Sequence, residues 1–329
     1  MGAWQEIVDY TVPSNTTSVV LNDFGTITKD DFFKVAISIS SSSTSFFVSC
    51  FPDTTDGVAG YNTGTNYHSQ SCLGTGTIPD AFRANLNIFT NLAASSSYAL
   101  GYLKLSENGK FNTFTNEFIR TDSLLFTSFR YTTSSNLTFN DPITSLTFTA
   151  SVTNALGTGT RIQIYKLAAE KVADITVASN TTQVDISSLS IDKDSEYLLV
   201  SDISNGSGTD TQIALTVNDV TTGTSYYRQR IRGDGSSASA LRANDARVFD
   251  LGTGVKGLAY SHIKLSNIGA ATSQNYGIMQ QGTSSIFLQN HFISSTSEAI
   301  TSITKLNIVA SATNGVGTDS RFILYKLYE

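Results

Sequence analysis

The chain writes one ending twice. "GTGTRIQIYKL" closes at Leu167 and "GTDSRFILYKL" closes at Leu327. The match extends backward in order. "DYTVPSNTTSVVL" from Asp9 returns as "DITVASNTTQVDI" from Asp174, and "TGTNYHSQ" from Thr63 returns as "TGTSYYRQ" from Thr222. "AFRAN" at Ala81 returns as "ALRAN" at Ala240, and "LKLS" at Leu103 returns as "IKLS" at Ile263. Five ordered matches at a nearly constant offset mark a tandem duplication. A unit of about 160 residues is domain-sized and far longer than a solenoid or propeller repeat. The sequence therefore predicts two domains, 1–168 and 169–329, each ended by its own closing strand.

Within a unit the apolar residues alternate. Phe33, Val35, Ile37 and Ile39 form one such row, Leu146, Phe148, Ala150 and Val152 another, and Ile213, Leu215 and Val217 a third. A period of two puts one face on a core and the other in water, as in antiparallel sheets. Turn clusters such as "SNTT", "DTTDG", "GTGT" and "GDGSS" separate the runs. Many short strands with such turns predict an all-β protein of two tandem antiparallel β-sandwich, jelly-roll domains. Phe82, Leu86 and Phe89 have helical spacing and leave a short helix after Pro79 open.

Composition removes several functions. The net charge is −6 and the pI about 5.1, which argues against a nucleic-acid binder. Charged residues are 15% of the chain, so hydroxyls and amides supply most of its polarity. Two cysteines, Cys50 and Cys72, permit at most one bridge, and neither has a cysteine counterpart in the second unit, so none is expected to be required. "MGAWQEIVDYTV" lacks the basic and apolar regions of a secretory signal, and no apolar run is long enough to span a bilayer. The expectation is synthesis in a cytoplasm without membrane insertion.

Catalytic patterns are sparse. None of His68, His262 and His291 has a second ligand at metal-binding spacing. No G-x-S-x-G elbow occurs, and the "GTGT" and "GDG" stretches lack the Gly-Lys-Ser/Thr of a phosphate loop. Asp30 with Asp31, or Asp192, Asp194 and Glu196, offer clustered oxygens to a cation, but polar turns explain them more simply. The reading is a non-enzyme with no catalytic residue, metal or cofactor.

One difference between the copies carries charge. In "YYRQRIRGDG", Arg228, Arg230 and Arg232 alternate and so share one strand face, where the first copy has Ser69, Ser71 and Leu73. Three like charges in a row call for an acidic partner. The candidates are Asp or Glu residues at a domain or subunit contact, or an anionic ligand such as a phosphate or an acidic sugar. Tyr226 and Tyr227 beside them are candidates for stacking on a glycan.

The order of Trp4 and Ile7, the "YYRQ" strand from Tyr226 to Gln229, "RAN" from Arg242 to Asn244, and the stretch from Ile300 to Lys326 resembles jelly-roll domains of tailed-bacteriophage virion proteins. The resemblance covers both units and rests on structural motifs, so it carries over no catalytic residue. It implies a virion protein made in the host cytoplasm and placed on the particle surface, as a capsid-decorating or tail-appendage subunit. Its partners would be other virion proteins of capsid or tail, further copies of itself and a host surface glycan. The alternative is a receptor- or carbohydrate-binding module of a tail fibre, although no fibre-shaft sequence precedes Trp4.

Overall fold

A computed structural model describes residues 3–40, 45–54, 66–74, 79–84, 90–93, 97–120, 125–134, 137–139, 142–221, 223–233, 237–281, 285–296 and 299–328. The chain forms two compact units, one spanning Trp4–Ala168 and the other Ala169–Arg232 with Ser239–Glu329. Among the described residues the strands of both form antiparallel sheets, and they pair within a unit.

In the first unit the strands are β1 (Trp4–Thr11), β2 (Ser18–Leu21), β3 (Phe33–Ile39), β4 (Ser45–Thr54), β5 (Tyr67–Gly74) and β6 (Pro79–Ala84). They continue with β7 (Thr90–Ala93), β8 (Ser97–Leu105), β9 (Phe111–Arg120), β10 (Leu125–Ser134), β11 (Ile143–Ala150) and β12 (Arg161–Leu167). The larger sheet runs β1-β12-β3-β8-β9-β10-β5-β6 and the smaller β2-β11-β4-β7. Leaving aside the β5–β6 and β9–β10 hairpins, successive strands alternate between the sheets, except for β4 and β7, which pair with each other in the smaller one. The remaining four-on-four arrangement is a jelly roll. The two hairpins both join the larger sheet, extending it four strands past β8.

The second unit repeats this order with β13 (Glu170–Thr176), β14 (Gln183–Ile186), β15 (Glu196–Ser204), β16 (Thr211–Val217), β17 (Tyr226–Gly233) and β18 (Ala238–Ala243). Next come β19 (Arg247–Leu251), β20 (Lys256–Leu265), β21 (Ala271–Gln281), β22 (Ser285–Ser295), β23 (Leu306–Ala310) and β24 (Arg321–Tyr328). The sheets are β13-β24-β15-β20-β21-β22-β17-β18 and β14-β23-β16-β19. The fold is therefore two tandem antiparallel β-sandwiches of one topology.

The alternating rows face the cores. Phe33, Val35, Ile37, Phe148, Ile162 and Ile164 are buried in the first; Ile213, Leu215, Phe322 and Leu324 are buried in the second. Truncating one such phenylalanine to alanine costs about 3–5 kcal/mol through lost transfer energy and the cavity left behind. Val152 lies past the end of β11 and is exposed instead. The helical spacing of Phe82, Leu86 and Phe89 does not produce a helix at Phe82, which lies in β6 opposite Ser71 of β5. Sheet pairing outweighs a three-residue spacing there; Leu86 and Phe89 lie outside the described residues.

The repeated turns lock each domain shut. Asn15 Oδ1 accepts from the Thr158 backbone N–H at 3.0 Å and from its hydroxyl at 3.2 Å; Thr17 Oγ1 accepts from Asn154 N–H at 2.9 Å. In the second unit Asn180 accepts from Thr318 in the same way, at 2.9 and 3.0 Å, and Thr182 accepts from Asn314 N–H at 2.9 Å. The "SNTT" turn thus supplies the side chains that hold the "GTGT" or "GTDS" turn before the closing strand. Asn154 and Asn314 adopt φ of 57° and 59°, a left-handed conformation that asparagine tolerates well. Five residues later, in the closing turn proper, Gly159 has φ 86° where the second copy places Asp319 at 64°. At Gly206 an added Cβ would lie 2.7 Å from both Asn180 Cγ and Gly317 Cα, so glycine lets the turns approach this closely.

Replacing Asn180 with alanine removes both acceptor bonds and the 3.0 Å bond it donates to Gly206 O. The site is exposed, so the expected loss is about 1–2 kcal/mol in the second unit. Denaturant titration of Asn180→Ala and Asn180→Asp reads it: the aspartate keeps the acceptor and should recover most of the loss. An unchanged midpoint for the alanine variant would show that the turns close without this bond.

A candidate anion site in the second unit

Four strands of the larger sheet have no full sheet opposite them. Their inner faces cannot all be apolar, and they change character along their length. In the second unit Leu265, Ile263, Ile293 and Tyr226 belong to the core, while Ser261, Asn275, Gln289, His291 and Arg228 continue the same inner faces as buried polar groups. The first unit shows the same transition, with Thr113, Thr115, Thr132, Ser69 and Arg130 buried beyond Leu103 and Leu105.

The three arginines of β17 follow Tyr226 along that inner face. Arg228 is 2% exposed and makes a two-point ion pair with Asp245, with Nε 2.5 Å from Oδ1 and Nη2 2.9 Å from Oδ2. Arg230 Nη1 lies 3.4 Å and Arg232 Nη1 4.0 Å from Asp250 Oδ2. Arg247, on β19 itself, places Nη1 3.4 Å from Asp250 Oδ1 and also bonds the Gln212 side-chain oxygen. The row is thus turned inward, and acids of its own unit meet it. A strand's alternation shows which residues share a face but not which way that face points.

Tyr226 cannot stack on a glycan as expected from the sequence. It is 2% exposed in the core, and its hydroxyl accepts the Val217 N–H at 2.9 Å. Burial raises its pKa. Tyr227 points the opposite way and is 58% exposed.

His291 sits against the arginines. Its Nδ1 is 2.7 Å from the Arg247 carbonyl, and its Nε2 is 3.0 Å from the side-chain amide oxygen of Gln289. A carbonyl only accepts, so Nδ1 carries the proton. Burial, reinforced by the charges of Arg228, Arg230 and Arg247, lowers its pKa to about 3, so the ring is neutral and Nε2 accepts. The Gln289 amide then offers its nitrogen, which otherwise has no partner, rather than its oxygen. The Arg247 carbonyl is available because β19 carries a bulge: Ile213 pairs with Phe249 and Ala214 with Arg247, leaving Val248 unpaired.

Burial also lowers the pKa of Arg230, as do the charges of Arg228, Arg232 and Arg247 against the opposing effect of Asp250. Arg228 pairs with Asp245, while Arg230, Arg232 and Arg247 each place a guanidinium nitrogen within 4.0 Å of Asp250. Beside Arg247 a cleft of about 160 Å³ opens on the outer face of the smaller sheet, lined in part by Gln212, Thr216, Thr221, Asp245, Arg247 and Ser311.

Other sequence candidates have local partners. Asp31 accepts from Thr28 N–H at 2.9 Å and its hydroxyl at 2.7 Å, and pairs with Lys166 at 2.6 Å. Asp192 accepts from Asp194 N–H and the Ser195 hydroxyl, and Glu196 lies 3.3 Å from His262 Nδ1. No group of three or more metal-ligating side chains occurs among the described residues. Cys50 is a buried thiol in the first core whose pKa burial raises. The side chains of Cys72 and His68 lie outside the described residues.

Comparison with known proteins adds no family. No protein-family model matches the chain, and no curated protein matches it. Among solved structures it has a weak likeness to domains LG4-5 of the mouse laminin α1 chain, at 8% identity and TM-score 0.19, covering 98% of this chain and 89% of that one. The attachment invasion locus protein Ail of Yersinia pestis, solved with a heparin analogue, gives 5% identity and TM-score 0.12 over 80% and 97% of the two chains. Scores at this level carry no argument about fold or function.

The neutral His291 makes stability depend on pH. Between its ordinary pKa of 6.5 and about 3, the unfolded chain takes up a proton that the folded site refuses. Stability is therefore complete above about 6.5 and falls with pH, by about 1 kcal/mol per unit for an ideal single group. Unfolding midpoints at pH 7 and pH 5 measure it, and His291→Gln should reduce the difference. An equal pH effect in that variant would assign it elsewhere.

Proposed function

We propose that the protein is a non-enzymatic structural protein of a bacteriophage virion, displayed on the particle surface as a capsid-decorating or tail-appendage subunit. The observation that carries this reading is the duplicated jelly roll itself. Each copy closes with its own turn lock, and the copies differ in the charge of one inner face rather than in frame. Such a pair is suited to an assembly role in which one unit docks and the other projects. The sequence resemblance to virion jelly rolls supports the setting. The grouped titratable side chains described above are engaged with opposite charges or turn backbone, as a scaffold requires. Other virion proteins, further copies of the chain and a host surface glycan are the proposed partners.

A second reading, a carbohydrate-binding module of a tail fibre, is favoured by one feature. The cleft beside Arg247 combines the hydroxyls of Thr216, Thr221 and Ser311 with the charged side chains of Arg247 and Asp245.

Quantitative mass spectrometry of purified particles from the encoding phage tests the proposal. The protein should be present at a copy number matching a symmetric array, and antibody should label intact particles. Its absence from washed particles, or release of sugars from host polysaccharide by the purified protein, would overturn the reading.

A further inference from the structure

We infer that the cleft on the outer face of the smaller sheet in the second unit binds one neutral sugar ring, held by Gln212, Thr216, Asp245 and Arg247. The inference rests on the carbohydrate-binding reading above and gives it a sugar class and a place.

Charge selects the class. Arg247 and Asp245 both line the cleft, and their side chains are 23% and 30% exposed. An anion entering it meets the Asp245 carboxylate, and a cation meets the Arg247 guanidinium. A wholly apolar body would strip water from both charges without replacing it. A neutral polyol suits the pair, because a hydroxyl donates to a carboxylate and accepts from a guanidinium.

Unused hydrogen-bonding capacity points the same way. Thr216 borders the cleft at 2% exposure, and its hydroxyl oxygen is buried with no hydrogen-bond partner among the described residues. Buried hydroxyls are paired as a rule, and a turn about χ1 brings this one to a ligand. The Gln212 side-chain oxygen accepts from Arg247, which leaves its amide nitrogen as a donor. Ala214, Val309 and Ala310 supply an apolar floor for the C–H face of a sugar. At about 160 Å³ the cleft is smaller than the roughly 300 Å³ at which pockets for drug-sized ligands begin, so it takes a single ring.

The first unit has hydrocarbon at each of these positions. Sheet register sets Phe47 where Gln212 stands and Phe51 where Thr216 stands. The sequence repeat sets Leu86 where Asp245 stands and Ile88 where Arg247 stands. The polar groups therefore enter the second copy together, at one place on its surface.

Amide NMR titration of the full chain with methyl glycosides of glucose, galactose, mannose and N-acetylglucosamine tests this, with glucuronate and glucosamine as charged controls. A neutral glycoside should shift the Gln212, Thr216 and Arg247 amides saturably, and should bind more tightly than either control. Thr216→Val keeps the shape and loses the hydroxyl. It should weaken binding by about threefold to tenfold, the worth of one hydrogen bond, without lowering the unfolding midpoint. Gln212→Phe, which installs the first copy's residue, should abolish binding. No saturable shift with any neutral glycoside, equal binding of a charged control, or full affinity in either variant would overturn the inference. A glycan array separates it from the reading on which it rests. Parent binding that Gln212→Phe retains places the glycan elsewhere and overturns the inference alone; no array binding and no shift together remove both.

Discussion

Eight strands face four in each unit, and much of the remaining structure answers that mismatch. Four strands on four make a closed jelly roll with an apolar core. The two hairpins that lengthen the larger sheet carry its inner surface past the edge of the smaller one. A surface only partly covered cannot be a second oil core; it must satisfy buried polar groups internally or leave them to water. The first copy fills its overhang with threonines, serines and Arg130, the second with asparagine, glutamine, a neutral histidine and arginines paired to aspartates.

The second copy's solution is dense in charge and depends on order. Arg228 is buried against Asp245, and removing one member of such a pair typically costs about 3–5 kcal/mol because the other charge is stranded. His291 is held neutral between the Arg247 carbonyl and Gln289 by the same surroundings. A bulge in β19 frees that carbonyl. The overhang is therefore held by internal pairs where it is buried, and at its rim Arg230, Arg232 and Arg247 are partly exposed.

Much of the frame was legible in the sequence. Period-two rows such as Phe33 to Ile39 faced the core as alternation requires, and the all-β sandwich followed from them. The orientation of the arginine row was not legible, because alternation fixes shared faces without saying which is inner. Tyr226 misled for that reason: it heads the same inner row. Asp245, Arg247 and Asp250 were missed although a signal existed. In "RANDARVFD" all three charges appear in the second copy, where the first reads "RANLNIFTN", and they accompany the β17 arginines. Charges that enter one repeat together on neighbouring strands point to one another. His291 gave no such signal, since its environment is built by register with Asn275 and by the bulge.

An internal ion pair organises the second overhang as an interior. A double-mutant cycle on Arg228 and Asp245 measures it most directly. With Arg228→Met, Asp245→Asn and the double variant, unfolding free energies should give a coupling of about 2 kcal/mol or more, as for a desolvated, two-point pair. A coupling below about half a kcal/mol, the level of an exposed surface pair, would contradict the account.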